Sequence, residues 1–327
     1  MNKLLTIVVP VYKVEPYINK CLDSCVLKDE KLMDQLEVII VNDGTPDNSA
    51  EMSREYVKRY PKTFRQIDKE NGGHGSAWNV GLKEATGKYL RFLDSDDWLT
   101  NLDKLMYKLQ NIDADLVLTP KNEVYVDGPT NLSVLSYEGG NTHSIEKFDF
   151  SANRHMSVVS FQYTTYKREL LCFGEKLFLE HCAYDDTILF TAPLIKAKTY
   201  VIFDFVVYNY LLGREGQTAD PIVAQKKMPQ RVQNLEYMSD FFSQHQNDGP
   251  STYIKDNASI IISRLAAFLF ADIKYLPFTE ARKYSKRLEP YLRNALWKPS
   301  KIVKRYLRFP FSIWYLMERV NMLTQRK

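Results

Sequence analysis

Four short apolar runs, each trailed by a polar turn and a stretch of helical spacing, constrain this chain more than anything else. They fall at residues 4–11, 36–41, 64–68 and 89–93. The first two are almost continuously apolar, as strands buried on both faces are. Between them Ile18, Cys21, Leu22, Cys25 and Val26 recur at three-four spacing. A second helix is expected from a cap at Asn48 or Ser49 to about Tyr60. A third is expected over residues 75–85, closed by Gly87. Strand and helix alternating four times predict an α/β fold with a mostly parallel sheet flanked by helices.

Beyond Asp115 the rhythm breaks. DLVLTPKNEVYVDG reads as a strand pair, and 128–160 is polar and loop-rich. Helical character returns at 166–172 and 185–196, followed by a strand-like 199–211. After Pro221 nearly everything is helical. We therefore expect an α/β domain over 1–220. A helical region would then occupy 221–327.

The net charge of +4 conceals an asymmetry. Residues 282–327 carry 13 Lys and Arg against Glu289 and Glu318, a balance of +11, so the remainder carries −7. A basic tail on an acidic body points to an anionic partner. The basic residues follow no nucleic-acid-binding module, so no nucleic acid is expected. KPSKIVKRYLRFPFSIWYLMERV mixes cations with aromatic and aliphatic residues, the composition of a helix lying in a membrane interface. The apolar stretch 309–317 is too short to span a bilayer. An ordinary helical subdomain or a dimer face fits the same segment, which leaves room for a homo-oligomer. No secretory leader is read at the N terminus. Cys21, Cys25, Cys172 and Cys182 form no CxxC pair, so reduced thiols and a cytoplasmic setting, peripheral to the inner face of the membrane, are expected.

The chemistry concentrates at the strand ends, where ligands sit in open α/β sheets. PVYK follows the first run, NDGTPDNS the second, NGGHGSAWN the third and DSDDW the fourth. Asp94 and Asp96, two apart with small Ser95 between, suit a hard divalent cation such as Mg²⁺ or Mn²⁺. Capping of the next helix by Asp96 or Asp97 is the competing reading. Asp43 can accept hydrogen bonds from a nucleobase or ribose, or serve only the Asp-Gly turn. A haloacid-dehalogenase nucleophile is excluded, because Val41 stands where that chemistry needs an aspartate. Gly72, Gly73 and Gly75 permit close backbone approach but do not form a dinucleotide fingerprint. His74 among them can donate to a phosphate.

TIVVPVYKVEPYINKCLDS, LEVIIVNDGTPDNS, ENGGHGSAWNVGLKEATGKYLRFLDSDDWL and AYDDTILF, in this order, resemble a family 2 glycosyltransferase of the bacterial cell-surface polysaccharide type, with the GT-A fold. That resemblance implies a metal-dependent, inverting transfer from a nucleotide-sugar, UDP-linked by family habit, to a glycan or lipid-linked acceptor, with a nucleotide-binding part over about 1–115 and an acceptor part over about 116–220. Carried onto this chain, it assigns Pro10, Val11 and Tyr12 to the nucleotide pocket and Asp43 to the base. Gly73, Asn79, Asp94 and Ser95 fall to the donor, with Asp96 on the metal. Asp186, second of the pair Asp185-Asp186, would be the general base, and Arg214 would contact the diphosphate. One departure is plain: the family's Ala-Arg-Asn is Ala77-Trp78-Asn79 here, so an expected cation is absent. Two competitors remain. A nucleotidyltransferase would want a Gly-rich cationic loop where PVYKVEP stands. A silent partner subunit would be expected to have lost Asp96 or Asp186.

Overall fold

The computed structural model describes residues 3–133, 140–144, 160–214, 217, 221–248, 252–292 and 301–325. The chain divides into two compact units, 1–219 and 220–327.

The first unit is built on β1 (Leu5–Val11), β2 (Leu36–Asn42), β3 (Phe64–Asp68) and β4 (Tyr89–Phe92). These pair in parallel in the order β3-β2-β1-β4. Every residue of β1, β2 and β4 is buried, because helices cover both faces, among them α1 (Ile18–Asp23), α2 (Glu30–Gln35), α3 (Ser49–Arg59) and α4 (His74–Glu84). The cap of α3 differs from expectation. Asn48 makes no side-chain cap bond; Asp47 accepts from the Ser49 amide and hydroxyl.

Past β4 the chain forms β5 (Trp98–Leu99), α5 (Leu102–Leu109), β6 (Leu116–Leu118), β7 (Lys121–Tyr125), β8 (Thr130–Ser133), β9 (His143–Ser144), β10 (Thr164–Lys167), α6 (Ala192–Lys196), β11 (Thr199–Ile202) and β12 (Tyr208–Leu212). Three readings need correction here. Residues 166–172 open as a strand: β10 lies antiparallel between β4 and β6, and a 3₁₀ turn, Arg168–Leu171, follows. Pairing on both edges overrides the local helical signal. The presumed pair in DLVLTPKNEVYVDG is two strands in different sheets, separated at Pro120, which has no N–H for the ladder. The strand-like 199–211 is likewise split between the eight-stranded sheet and a second, four-stranded sheet ordered β5-β12-β7-β8.

The two ends of the main sheet are used differently. At the amino end, buried Glu37 accepts from Thr6 (2.6 Å), from the Thr86 amide (2.9 Å) and hydroxyl, and from Arg65. This knot ties β1, β2, β3 and the approach to β4 together. The carboxyl end carries the acidic clusters.

The second unit is helical: α7 (Pro221–Lys226), α8 (Met228–His245), α9 (Thr252–Ile273), α10 (Phe278–Leu292), α11 (Lys301–Arg308) and α12 (Phe311–Gln325). Its core includes Val232, Met238, Ile262, Phe270, Leu288 and Trp314. Among the described residues no helix is long and apolar enough to cross a membrane.

Because Glu37 lies at the end remote from the acidic clusters, Glu37→Ala should cost about 2 kcal/mol in urea unfolding by orphaning the Thr86 amide and Thr6 hydroxyl. Any ligand-induced thermal shift should keep its wild-type size; a variant as stable as the wild type would contradict this role.

Candidate active site

The carboxyl ends of β1, β2 and β4 bring together residues from distant parts of the sequence. Pro10 and Val11 close β1 in register with Val41 and Asn42, and Tyr12 just beyond is exposed. Asp43 follows β2 and is buried. Its carboxylate accepts from Lys69 Nζ (2.7 Å), the Gly72 amide (2.9 Å) and the Gly73 amide (2.8 Å). Gly73 has φ +84°, a left-handed conformation suited to glycine that turns its N–H onto Asp43.

Three carboxylates crowd the end of β4, and each has a different partner. Asp94 Oδ1 faces His74 Nε2 at 3.0 Å. Asp96 accepts from Arg214 Nε. Asp97, almost fully buried, accepts from the Tyr208 hydroxyl (2.5 Å) and the Leu211 amide (2.7 Å), which fastens β12 to the end of β4. Beneath Tyr208 lies buried Arg91, whose guanidinium donates to Thr165 and to the Gln162 carbonyl. Burial and then the Asp94 charge push Asp96 up from the usual carboxylate range, against the pull of Arg214. Burial, Asp96 and Asp94 push Asp97 well up. Neither Asp96 nor Asp97 caps the following helix, which starts at Leu102 after Asn101.

Oxygens of Asp94, Asp96 and Asp97 lie within 4.8 Å of one another and could hold a metal ion. The donor set is all-oxygen, as a hard divalent cation requires. Asp97 already spends both oxygens on Tyr208 and Leu211, so Asp94 and Asp96 are the better ligands. Ser95 between them is buried.

Asp185 and Asp186 open a 3₁₀ helix, Asp185–Phe190, after Tyr184 at φ +63°. Asp185 reaches His74 Nδ1 with both oxygens, at 3.0 and 3.2 Å. His74 thus lies between the β4 carboxylates and the Asp185-Asp186 pair. Burial opposes its charge, but Asp185 and then Asp94 outweigh burial and hold the imidazole well above its ordinary range. Asp186 is pushed up to about 7, by burial first and by Asp185 second, with His74 pulling the other way.

Asn79, expected at the donor, is buried: its amide donates to the Phe178 carbonyl (2.9 Å) and its oxygen accepts from the Leu177 and Phe178 amides. It clasps the segment leading to Asp185. Arg214, expected on a diphosphate, donates to Asp96. His74 is the residue whose role the sequence understated, since nothing local announces a partner 111 positions away.

Trp78, standing where the family has arginine, is wholly buried. It packs against Phe92 (4.3 Å between ring centres), Phe161 (4.9 Å), Phe178 (5.1 Å) and the His74 ring (4.1 Å).

The family model for glycosyl transferase family 2 matches residues 6–173, more than half of the chain. The chain belongs to glycosyl transferase family 2. Among similar family members, the uncharacterized glycosyltransferase EpsJ of Bacillus subtilis is 44% identical over 101 residues, covering 31% of this chain and 28% of EpsJ. The minor teichoic acid biosynthesis protein GgaB of the same organism is 27% identical over 224 residues, 67% of this chain and 24% of GgaB. These alignments thus span only about a quarter of each relative's length. Among solved structures, residues 1–349 of S. aureus TarS in complex with UDP-GlcNAc superpose with a TM-score of 0.69 at 19% identity, covering 89% of this chain and 81% of that one. At that identity the likeness establishes the GT-A fold.

Reinstating the family's arginine tests the aromatic site directly. Trp78→Arg would bury a cation among four rings, and chemical denaturation should show a loss of about 3 kcal/mol or more. A fully stable Trp78→Arg protein would mean that the pocket can admit the missing cation.

Proposed function

We propose that this chain is an inverting glycosyltransferase that moves a sugar from a nucleotide-sugar, UDP-linked, to a hydroxyl of a glycan or lipid-linked acceptor in cell-surface polysaccharide or teichoic acid synthesis. One observation carries the reading: a single side chain, His74, touches both the donor-type carboxylate Asp94 and the pair that contains Asp186. A donor cluster and a base candidate are thereby held side by side, as a direct displacement needs.

In the reaction, the acceptor hydroxyl oxygen attacks the anomeric carbon from the face opposite the leaving group. The new C–O bond forms as the old one to the diphosphate breaks, its electron pair leaving with the nucleotide. Asp186 takes the hydroxyl proton, which requires hydrogen-bond reach of that hydroxyl. A base near pH 7 is well matched to this work. Pro10, Val11, Tyr12, Asp43 and Gly73 line the nucleotide side, with Ser95 between the donor carboxylates. Asp96, with Asp94, would hold Mn²⁺ or Mg²⁺, an ion that supplies charge neutralisation to a leaving diphosphate. A mannosyltransferase of Pyrobaculum calidifontis with this fold has been solved with GDP-Man and Mn²⁺. Arg214 is suited to exchange its partner Asp96 for the diphosphate.

The division at 219/220 supports reading the first unit as the transferase domain. In the helical unit, the apolar stretch of α12 is only partly free: Trp314 is buried against Phe270 and Tyr306. Ile313 and Leu316 are exposed, at 47% and 65%, and exposed Lys304 and Arg308 lie on α11. Exposed apolar residues on one helix and exposed cations on the preceding one suit an anionic lipid surface, where a lipid-linked acceptor would be met.

Three measurements test this. UDP with Mn²⁺ should raise the melting temperature of the wild type more than GDP, CMP or dTDP does, and Asp96→Ala should abolish the rise. No response to any nucleotide would instead favour a silent partner subunit. In turnover, kcat/KM should climb with pH to about 7 and level off above, because Asp186 must be ionised. Asp186→Asn should lie on the order of 10³-fold lower and lose that limb; a limb that survives the substitution belongs to another group. Finally, the chain should float with vesicles containing phosphatidylglycerol but not with pure phosphatidylcholine, and Leu316→Glu should weaken flotation. Equal flotation on both lipids would contradict a charge-assisted surface.

A further inference from the structure

We infer that His74 is a positioning residue of the reaction centre, tying Asp185, and through it the base Asp186, to the donor carboxylate Asp94. This inference rests on the proposed transferase reading and adds a component that the family's pattern does not supply. Both ring nitrogens face carboxylate oxygens: Nδ1 faces Asp185 at 3.0 and 3.2 Å, and Nε2 faces Asp94 at 3.0 Å. Asp185 is 4% exposed, and the imidazole is the side chain that reaches both of its oxygens.

The surroundings are built for this contact. Gly73 turns the chain into α4, so that His74 becomes its first residue. A Cβ at Gly75 would lie 2.2 Å from the Leu179 carbonyl oxygen and 2.7 Å from Asp185 Oδ2, so only glycine lets the 178–185 segment close onto His74. Asn79, one turn further along α4, clasps Leu177 and Phe178 of the same segment. Trp78 lies against the other side of the imidazole at 4.1 Å between ring centres. Trp78 and His74, four residues apart on α4, are therefore one arrangement, in which the buried indole supports the imidazole.

His74 has two half-mimics. An asparagine amide reaches about as far as Nδ1 and can still donate to Asp185; a glutamine amide reaches about as far as Nε2 and can still donate to Asp94. The test uses the full chain with Mn²⁺. It measures the melting shift on UDP and the release of UDP by hydrolysis of whichever of UDP-glucose, UDP-galactose and UDP-GlcNAc the wild type consumes fastest. His74→Gln should lower kcat about tenfold or more while the UDP shift stays near the wild-type value, since the base pair is loosened and the nucleotide pocket is not. His74→Asn should recover about fivefold or more of that loss. The inference is overturned if the two variants behave alike, or if binding and turnover fall together as they would for a merely structural residue. A wild type that neither responds to UDP nor consumes any of the three donors would instead overturn the transferase reading, and this inference with it.

Discussion

Negative charge gathered at one edge of the sheet is the constraint on which the rest of this structure depends. Asp94, Asp96 and Asp97 lie together at the end of β4, and Asp185 joins them through His74. Two like unit charges 4 Å apart repel by about 4 kcal/mol at an effective dielectric near 20. A chain that merely needed to fold would not accumulate four such groups. Each is offset locally: His74 between Asp94 and Asp185, Arg214 on Asp96, and Tyr208 with the Leu211 amide on Asp97. The Asp97 contacts join the second sheet to the first, and His74 ties Asp185 to Asp94. The contact at Asp96 is the one that the proposed reaction exchanges, Arg214 leaving for a diphosphate.

The sheet therefore has a division of labour along its strands. At the amino end, Glu37 gathers hydroxyl, amide and guanidinium donors into a closed knot with no ligand-facing vacancy. At the carboxyl end β4 runs into Asp96 and Asp97, which burial and neighbouring carboxylates push up from their ordinary range, as perturbed groups at functional sites are. Asp186 is the clearest case: the environment that makes it costly to ionise also brings it near neutrality, where a base is most effective.

Much of this was legible in the sequence, for identifiable reasons. Strands buried on both faces leave continuous apolar runs, so β1, β2 and β4 were plain, and the loops after them had to lie on one edge. Asp43, Asp94, Asp96 and the Asp185-Asp186 pair followed from that edge and from the family resemblance. The structure holds these residues around His74 and Lys69. What could not be read depends on partners far away in sequence. β10 looks helical until it is paired on both sides, and the second sheet is assembled from strands about 90 to 110 positions apart, as in the pairing of Asn209 with Asn122 and Trp98. The bonds of Asn79 to Leu177 and Phe178 likewise span about a hundred positions. Arg214 and His74 reveal their ion pairs only when the folded chain brings them to Asp96 and Asp185.

In the proposed reaction the acidic edge gives up Arg214 and takes a metal and a nucleotide diphosphate. Anomalous diffraction from crystals soaked with UDP and Mn²⁺ tests this most directly. A manganese peak is expected between Asp94 and Asp96, with Arg214 moved from Asp96 onto the diphosphate. A nucleotide bound with Arg214 still on Asp96 and no manganese at that edge would contradict it.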